Sequence, residues 1–490
     1  MLATLLAALD QTIVATALPQ IVTDLGGFQQ LSWVVTGYLL ASTVTVPLYG
    51  KLSDLYGRRR LFVVAISLFL AGSLLCAVAQ SMGQLIAFRV LQGLGAGGLL
   101  PLSQATIADL FSPRERGRYQ GFIGAMWATA AIAGPLLGGT LTDSASWRWI
   151  FIINLPLGIL ALVVVVRTLR APAGRREHTI DWAGASVLSV SVSALLLASV
   201  WGGTTTYSWG SAPVLGCVLG GLAGVVLFIV IERRAAEPLL PLALFRMRTF
   251  VVSSTASVVV GAILFATTIY IPVYVQGVLG DSATGSGVVL IPLSLGWVVA
   301  AFGSGQAISR TGRYRVFPLV GSVLVLSGVL ALTTLDATSS RAAASAALVV
   351  IGVGMGVTWQ VYVIATQNAV AVGDLGVATA TIQFFRSMGG SLSVAALGAL
   401  LANRLADELP QHLGAAASRV DPDRLIQGAA AAPALREGTQ AALAAALHSV
   451  WLVVVPLAVV MVACALALEE RPLRGRSPAA ASEARWPAPR

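Results

Sequence analysis

The sequence predicts an all-α polytopic membrane protein with about fourteen transmembrane helices, and three observations carry that prediction. First, charge is scarce: Lys, Arg, Asp and Glu make up 11% of the 490 residues, while hydrophobic residues make up 57%. Soluble domains hold about a quarter charged residues, so this chain cannot cover a water-facing surface of normal size. Disorder is excluded for the same reason, and the mean hydropathy of +0.84 points to lipid as the solvent. Second, apolar runs recur at close to the roughly 20 residues that a helix needs to cross a bilayer. Third, the basic residues fall mainly in alternate loops.

The apolar runs lie near 2–22, 34–53, 61–79, 86–108, 119–141, 148–166, 182–200, 213–231, 251–277, 284–307, 316–334, 343–365, 377–402 and 449–468. The first lacks a basic flank, carries Asp10 in its body and precedes many further spans, so it does not read as a signal peptide. It opens at Met1 itself, which leaves room for a start codon upstream. With the N-terminus in the cytoplasm, the inner loops hold 23 of the 31 basic residues. Lys and Arg resist translocation, so the expected topology is a multi-pass protein of the cell membrane with both termini cytoplasmic. Trp33, Trp147, Trp149, Trp201 and Trp209 fall near predicted helix ends, where interfacial aromatics are expected.

A faint internal repeat divides the chain. Gly50-Lys-Leu-Ser-Asp54-Leu-Tyr-Gly57-Arg58-Arg59-Arg60 closes the second span, and Gly305-Gln-Ala-Ile-Ser309-Arg-Thr-Gly312-Arg-Tyr-Arg315 closes the tenth with similar spacing. The ninth span then matches the first. Two six-helix bundles are expected at 1–166 and 250–468, with two inserted helices at 182–231. Repeated halves are a common transporter design with the binding site between them. Residues 403–448 read as an Ala-rich outside loop, partly helical toward 436–447. The Pro-, Ala- and Arg-rich 471–490 reads as a disordered cytoplasmic tail.

The net charge of +10 would suggest nucleic acid in a soluble protein, but its placement here is a topology signal, so no nucleic-acid partner is expected. Cys76, Cys217 and Cys464 sit in apolar runs, and His178, His412 and His448 are scattered, so neither a disulfide framework nor a metal site is expected. Gly93, Gly95 and Gly98 satisfy a dinucleotide fingerprint, but no strand precedes them and they lie inside a span, so no nucleotide site is expected. No cofactor is implied. Gly93 with Gly97, and Gly134 with Gly138, instead allow close helix packing.

The Gly50–Arg60 stretch is the most informative. Gly50 and Gly57 permit close approach and a tight turn, and Asp54 lies where it can face helix N-termini and arginines. Arg58, Arg59 and Arg60 can pair with it, or with Asp109 and Glu115 at the next inner face. A plain positive-inside loop explains the arginines but not two glycines bracketing an aspartate, so a gate loop is the better reading. Asp10 lies inside an apolar span, where a charge costs roughly 3 kcal/mol or more and usually marks function. Its alternative is a snorkelling acid near the interface. Arg89 and Arg386 are the intramembrane cations. Arg89 can hold a nearby carboxylate deprotonated or serve a structural pair, and Arg386 can line the site or snorkel inward.

Trp127, Trp297, Trp359, Tyr270 and Tyr274 fall away from the span ends, and Gln360 and Gln367 are seven apart on one helix face. Apolar and aromatic surface with a few polar groups suits a ligand cavity, although each residue alone suits helix packing too. Trp127, Trp359, Gln360 and Arg386 are the substrate-pocket candidates.

Gly50–Arg60 resembles the loop signature between helices two and three of the major facilitator superfamily. Leu9–Pro19, Arg89–Gly98, Gly134-Pro135-Leu-Leu-Gly138-Gly139 and Trp147–Pro156 resemble stretches of its fourteen-helix drug:proton antiporter branch, the EmrB/QacA type. The resemblance implies a major facilitator fold and proton-coupled export of amphiphilic drugs or secondary metabolites by alternating access. It implies Asp10 and Arg89 as the proton-coupling pair and Gly134, Pro135, Gly138 and Gly139 as the antiporter signature. Pro135 would then bend or loosen the fifth helix and control leak. The implied partners are a small amphiphilic substrate, protons and the lipid bilayer.

One departure matters. No intramembrane acid is visible in the C-terminal half, where Ser309 stands at the place of Asp54. Dication export is thereby disfavoured, and neutral, zwitterionic and anionic amphiphiles stay open. An ATP-driven pump lacks its GxxxxGK[ST] loop, and a receptor lacks an output domain. The alternatives carried forward are an exporter of one native metabolite or lipid, and a membrane-embedded lipid-modifying enzyme.

Overall fold

The computed structural model describes residues 1–25, 31–169, 181–202, 207–235, 237–281, 283–419 and 435–473. Among them every regular element is helical. The helices are α1 (Leu2–Leu25), α2 (Leu31–Tyr56), α3 (Arg58–Ala77), α4 (Met82–Leu110), α5 (Pro113–Ser144), the short α6 (Trp149–Ile152) and α7 (Asn154–Thr168). They continue with α8 (Trp182–Trp201), α9 (Ala212–Glu232), α10 (Arg248–Val273), α11 (Ala283–Thr311), α12 (Val316–Thr333), α13 (Arg341–Ala369), α14 (Leu375–Leu413) and α15 (Arg436–Ala467). Eleven helical segments of the described residues are long and apolar enough to cross a membrane. The helices α1, α2 and α5 add runs of 24, 26 and 32 residues.

Helix starts follow local chemistry. The Ser81 hydroxyl accepts from the Gln84 N–H at the head of α4, Ser112 and Glu115 form a capping box on α5, and Asp181 accepts from the Gly184 N–H on α8. Gly57 carries φ 86° between α2 and α3, a conformation that glycine alone adopts without strain. The outer surface is apolar: Val299, Val190 and Leu219 are 72%, 70% and 65% exposed. That surface is stable only against hydrocarbon, where each helix satisfies its own backbone hydrogen bonds.

One large apolar cluster joins residues of α10 through α15, and two others join residues of α1 through α7. A further cluster places α8 side chains beside Val46 of α2 and Ala380 and Phe384 of α14, so the inserted pair α8–α9 rests against the α2–α14 seam. Small residues bring backbones together. A Cβ on Gly93 would stand 2.5 Å from the Tyr38 carbonyl oxygen and one on Gly97 2.3 Å from that of Ser42, which seats α4 against α2.

The two repeated glycines do equivalent work. Gly50 packs α2 against Ala380 and Gly376 of α14, and Gly305 packs α11 against Gly117 of α5. The second helix of each repeat therefore lies on the fifth helix of the other.

Two boundaries differ from the sequence reading. Helix α14 continues past residue 402 to Leu413, and residues 436–447 form one continuous helix with the last span. Leu397, Leu401, Leu405 and Leu409 are buried at four-residue spacing, so an apolar stripe persists while Arg404, Asp407 and Glu408 occupy the other faces and lower the mean hydropathy. Trp147, expected at the lipid interface, is instead fully buried and donates its indole N–H to Asp24 at 2.8 Å. The expected tail from 474 onward and loop residues 420–434 lie outside the described residues.

Candidate functional site

A buried polar cluster is built around side chains of four helices, α1, α3, α4 and α7. Asp10 of α1 is fully buried, and its Oδ2 receives Nη1 of Arg89 from α4 at 2.8 Å. Its Oδ1 accepts from Nε2 of Gln92 at 2.8 Å and from Nδ2 of Asn154 at 2.9 Å. Ser73 of α3 accepts from the same two amides at 3.2 and 3.0 Å and donates its hydroxyl hydrogen bond to the Phe151 carbonyl at 2.9 Å. Arg89 also donates to Gln92 Oε1 at 2.7 Å and to the Val34 carbonyl at 3.2 Å, and its Cζ lies 4.0 Å from the centre of the Tyr38 ring. A buried ion pair is tolerable only when its remaining donors and acceptors are met in this way. Breaking it by neutralising one partner leaves an uncompensated charge that costs several kcal/mol. Asp10 therefore does not snorkel: protonating it removes the charge that holds Arg89.

A second cluster sits at the basic end of the bundle. Asp54 lies just past the predicted span 34–53, and its Oδ1 and Oδ2 accept the Gly376 and Val377 N–H groups at 3.0 and 2.8 Å. Those are the unsatisfied amides at the N-terminus of α14, where the helix dipole favours an anion. Arg58 bridges Asp54 at 2.6 Å and Asp109 at 2.8 Å. Burial pushes the Asp54 carboxyl up to about 6, while Arg58 and the two backbone N–H groups pull it down. In the pseudo-equivalent place, Arg114 of α5 donates to the Ser309 and Arg310 carbonyls at 2.7 and 2.5 Å, a cation on the C-terminus of α11. Arg116 ties the Ala108 carbonyl at 2.6 Å to that of Gln367 at 3.5 Å, and Gln367 donates to the Gln104 carbonyl at 3.4 Å. Both repeats are thus joined at this end through helix termini.

The third cluster belongs to α13 and α14. Arg386 is 3% exposed; its Cζ lies 3.7 Å from the centre of the Trp359 ring, its Nη2 donates to the Trp359 carbonyl at 3.3 Å, and its Nη1 donates to Gln383. Trp359 meets Trp297 of α11 with ring centres 4.8 Å apart.

A family model described as Major Facilitator Superfamily matches residues 1–394. The chain belongs to the Major Facilitator Superfamily. It is 41% identical over 475 residues to an uncharacterized MFS-type transporter of Mycobacterium tuberculosis, covering 96% of this chain and 68% of the relative. It is 39% identical to the multidrug transporter protein MdtP of Bacillus subtilis, covering 83% and 75%, and 35% identical to multidrug resistance protein 3 of the same organism, covering 87% and 85%. Among solved structures it is similar to the proton:xylose symporter XylE, with a TM-score of 0.63 at 13% identity over 96% and 94% of the two chains. It is also similar to a bacterial homolog of the human lysosomal transporter Spinster, with a TM-score of 0.58 at 16% identity over 95% of each. Members of this superfamily are transporters rather than enzymes, which removes the lipid-modifying alternative.

On this major facilitator scaffold the structure brings several sequence-predicted residues together. Asp10 meets Arg89; Gly50, Asp54, Gly57 and Arg58 lie together at the α2–α3 turn, and Arg58 joins Asp54 to Asp109 of α4. Arg59 and Arg60 lie at the same turn, Arg60 exposed, and it is Arg58 that pairs with Asp54. Glu115 caps Ser112. Gly134 packs on Thr12 and so seats α5 on α1; Gly138 is buried, while the side-chain placements at Pro135 and Gly139 lie outside the described residues. Arg386 does not snorkel. Tyr270 and Tyr274 donate to the Val394 and Asp336 carbonyls at 2.7 and 2.8 Å, and Gln367 serves the basic-end junction, so these three act in packing. Trp127 packs beside Ala8, Leu9 and Ala130 rather than against Trp359. No acidic residue of 250–468 is buried among the described residues.

Sequence reasoning missed Gln92, Ser73 and Asn154 as companions of Asp10, and Arg114 and Arg116 as clamps. Gln92 stands three residues after Arg89 on the same helix face, a spacing that could have signalled it. Ser73 and Asn154 carry no comparable local signal.

Proposed function

We propose that this transporter is a fourteen-helix, proton-coupled antiporter of the EmrB/QacA type that exports amphiphilic small molecules across the cytoplasmic membrane. In this reading residues 1–166 and 250–468 are the two rocking bundles, 182–231 is the inserted pair, and the basic end faces the cytoplasm with both chain ends. The observation that carries it is the fully buried Asp10–Arg89 pair. While Asp10 is ionised, Arg89 is neutralised in place. A proton arriving from outside discharges Asp10 and leaves a desolvated guanidinium, which destabilises that packing and favours the alternative arrangement of the bundles. Release of the proton to the cytoplasm restores the pair. Each proton moving down about 100 mV supplies roughly 2.3 kcal/mol, before any pH gradient is added.

The basic-end clasp is the second part of the cycle. Asp54, Arg58 and Asp109 on one side, and Arg114 on the other, hold α2 to α14 and α5 to α11, which closes the cytoplasmic mouth. The names of the relatives, a multidrug transporter and a multidrug resistance protein, support export of drug-like cargo.

The test is dye transport in inside-out vesicles, with and without an uncoupler. Wild-type transport should collapse with the gradient, and Asp10→Asn should abolish pH-driven transport while the protein folds and still binds dye. Undiminished proton-driven transport in Asp10→Asn would sink the assignment. Parallel assays with native metabolites and lipids separate a multidrug exporter from an exporter dedicated to one metabolite.

A further inference from the structure

Arg89 and Arg386, both buried deep between helices, are held in opposite ways. Arg89 has its carboxylate in Asp10. Arg386 is equally desolvated, yet no carboxylate among the described residues pairs with it, and its Nε donates to nothing. A guanidinium cannot shed its proton and carries donors only, so a buried Nε without an acceptor is a costly arrangement that an anion would relieve.

The surroundings hold further buried polar atoms without partners. Trp297 Nε1 is buried without a partner, and an indole N–H is also donor-only. Gln360, beside Trp359 on α13, leaves both amide atoms unpartnered. Across the seam, α5 brings Gly124 to the Trp297 indole: a Cβ there would lie 3.9 Å from Nε1. One turn back on that face of α5, both amide atoms of Gln120 are buried without partners. Apolar matter is present too: the guanidinium lies over the Trp359 ring, and Trp297 meets that ring with planes tilted by 56°.

We propose that Arg386 anchors the carboxylate of an aromatic or otherwise flat amphiphilic acid, and that such acids are a substrate class of this transporter. Resting on the export reading above, this adds the sign of the cargo. The Nε–Nη2 edge of Arg386 receives the two carboxylate oxygens as a fork. The Trp359 and Trp297 rings take the apolar body, and the amides of Gln360 and Gln120 take its remaining polar atoms. A cationic cargo gains nothing from these donors and meets a like charge.

The test uses the full chain in phosphatidylcholine nanodiscs at neutral pH, with energy transfer from tryptophan to a pyrene probe. The probes are 1-pyrenebutyrate, its neutral amide and 1-pyrenebutyltrimethylammonium. Wild type should bind the acid at least about tenfold more tightly than the amide, with the ammonium weakest. Arg386→Gln should erase the preference for acid over amide while amide binding persists, and Arg386→Lys should restore part of it. Equal binding of acid and amide by wild type, a result that needs no variant to fold, overturns the proposal. So does an unchanged preference in Arg386→Gln. Displacement of the acid by phosphatidylglycerol discs would reassign the site to a lipid headgroup. Uncoupler-sensitive dye transport without acid preference removes this inference and leaves the antiport reading; acid preference with uncoupler-insensitive transport does the reverse.

Discussion

Asp54 and Val377, 323 residues apart, are joined by a 2.8 Å hydrogen bond in which a side chain of α2 caps the start of α14. The bond ties the two repeats at the basic end and uses the positive pole of a helix as its receptor. Asp54→Asn keeps the shape but turns one acceptor oxygen into a donor-only NH2 facing the Gly376 and Val377 N–H groups, a mismatch that a protonated carboxyl, which keeps both oxygens as acceptors, does not create. We expect the basic end to open more readily. Spin labels at the exposed Arg60 and Val372 positions, on a background lacking the three native cysteines, should report a larger long-distance population in the variant than in wild type.

The same carboxyl predicts a pH dependence. Closed, it titrates at about 6, above its ordinary 3.8; hydrated by opening, it returns toward 3.8. The closed form therefore binds more protons between those values. Falling pH favours closure through that window, the effect is complete below about 4, and rising pH through about 6 withdraws it. The label distance distribution should shift toward closed as pH drops from about 7 to 4, and Asp54→Asn should flatten that response.

The apolar helices and the Gly50–Arg60 turn were legible in the sequence because each is written in local pattern: hydropathy over about 20 residues and glycines at fixed offsets. Asp10 and Arg89 stood out because a charge in an apolar run needs a reason. Their companions did not. Ser73 and Asn154 are short polar residues that any span tolerates, and only the packing of α3 and α7 against α1 reveals that they share one carboxylate. Arg114 and Arg116 looked like ordinary positive-inside charges; their work lies in carbonyls distant in sequence, those of Ser309 and Gln367. The length of α14 was misjudged because averaged hydropathy dilutes a stripe that Leu401, Leu405 and Leu409 keep intact.

The Asp10–Arg89 pair predicts a non-additive stability pattern. Arg89→Ala strands a buried carboxylate and should cost about 3–5 kcal/mol of stability at neutral pH. Asp10→Asn strands the guanidinium but keeps an acceptor oxygen, and should cost less. The double variant Asp10→Asn with Arg89→Ala leaves no buried charge, so it should lose less than the sum of the singles. Thermal unfolding in detergent, followed by exposure of the buried Cys76 to a thiol dye, measures all three. Strict additivity would mean that the pair carries no coupling.

The α5–α11 seam gives the sharpest steric prediction. A Cβ on Gly305 would stand 2.3 Å from the Gly117 carbonyl oxygen, and one on Gly117 would stand 2.8 Å from that of Gly305. Both neighbours are backbone, which cannot swing aside as a flexible side chain would. Gly305→Leu should therefore hold the helices apart at the basic end, increase the long-distance label population and abolish transport while substrate binding survives. Gly303, two residues away, faces open space, with nothing within 4 Å of its Cβ position. Gly303→Ala should leave transport and the label distances near wild type, since a helical alanine is favoured over glycine by about 1 kcal/mol. Equal losses in the two variants would show that helix α11 responds to any added side chain, and the contact with Gly117 would no longer explain the closure of this end.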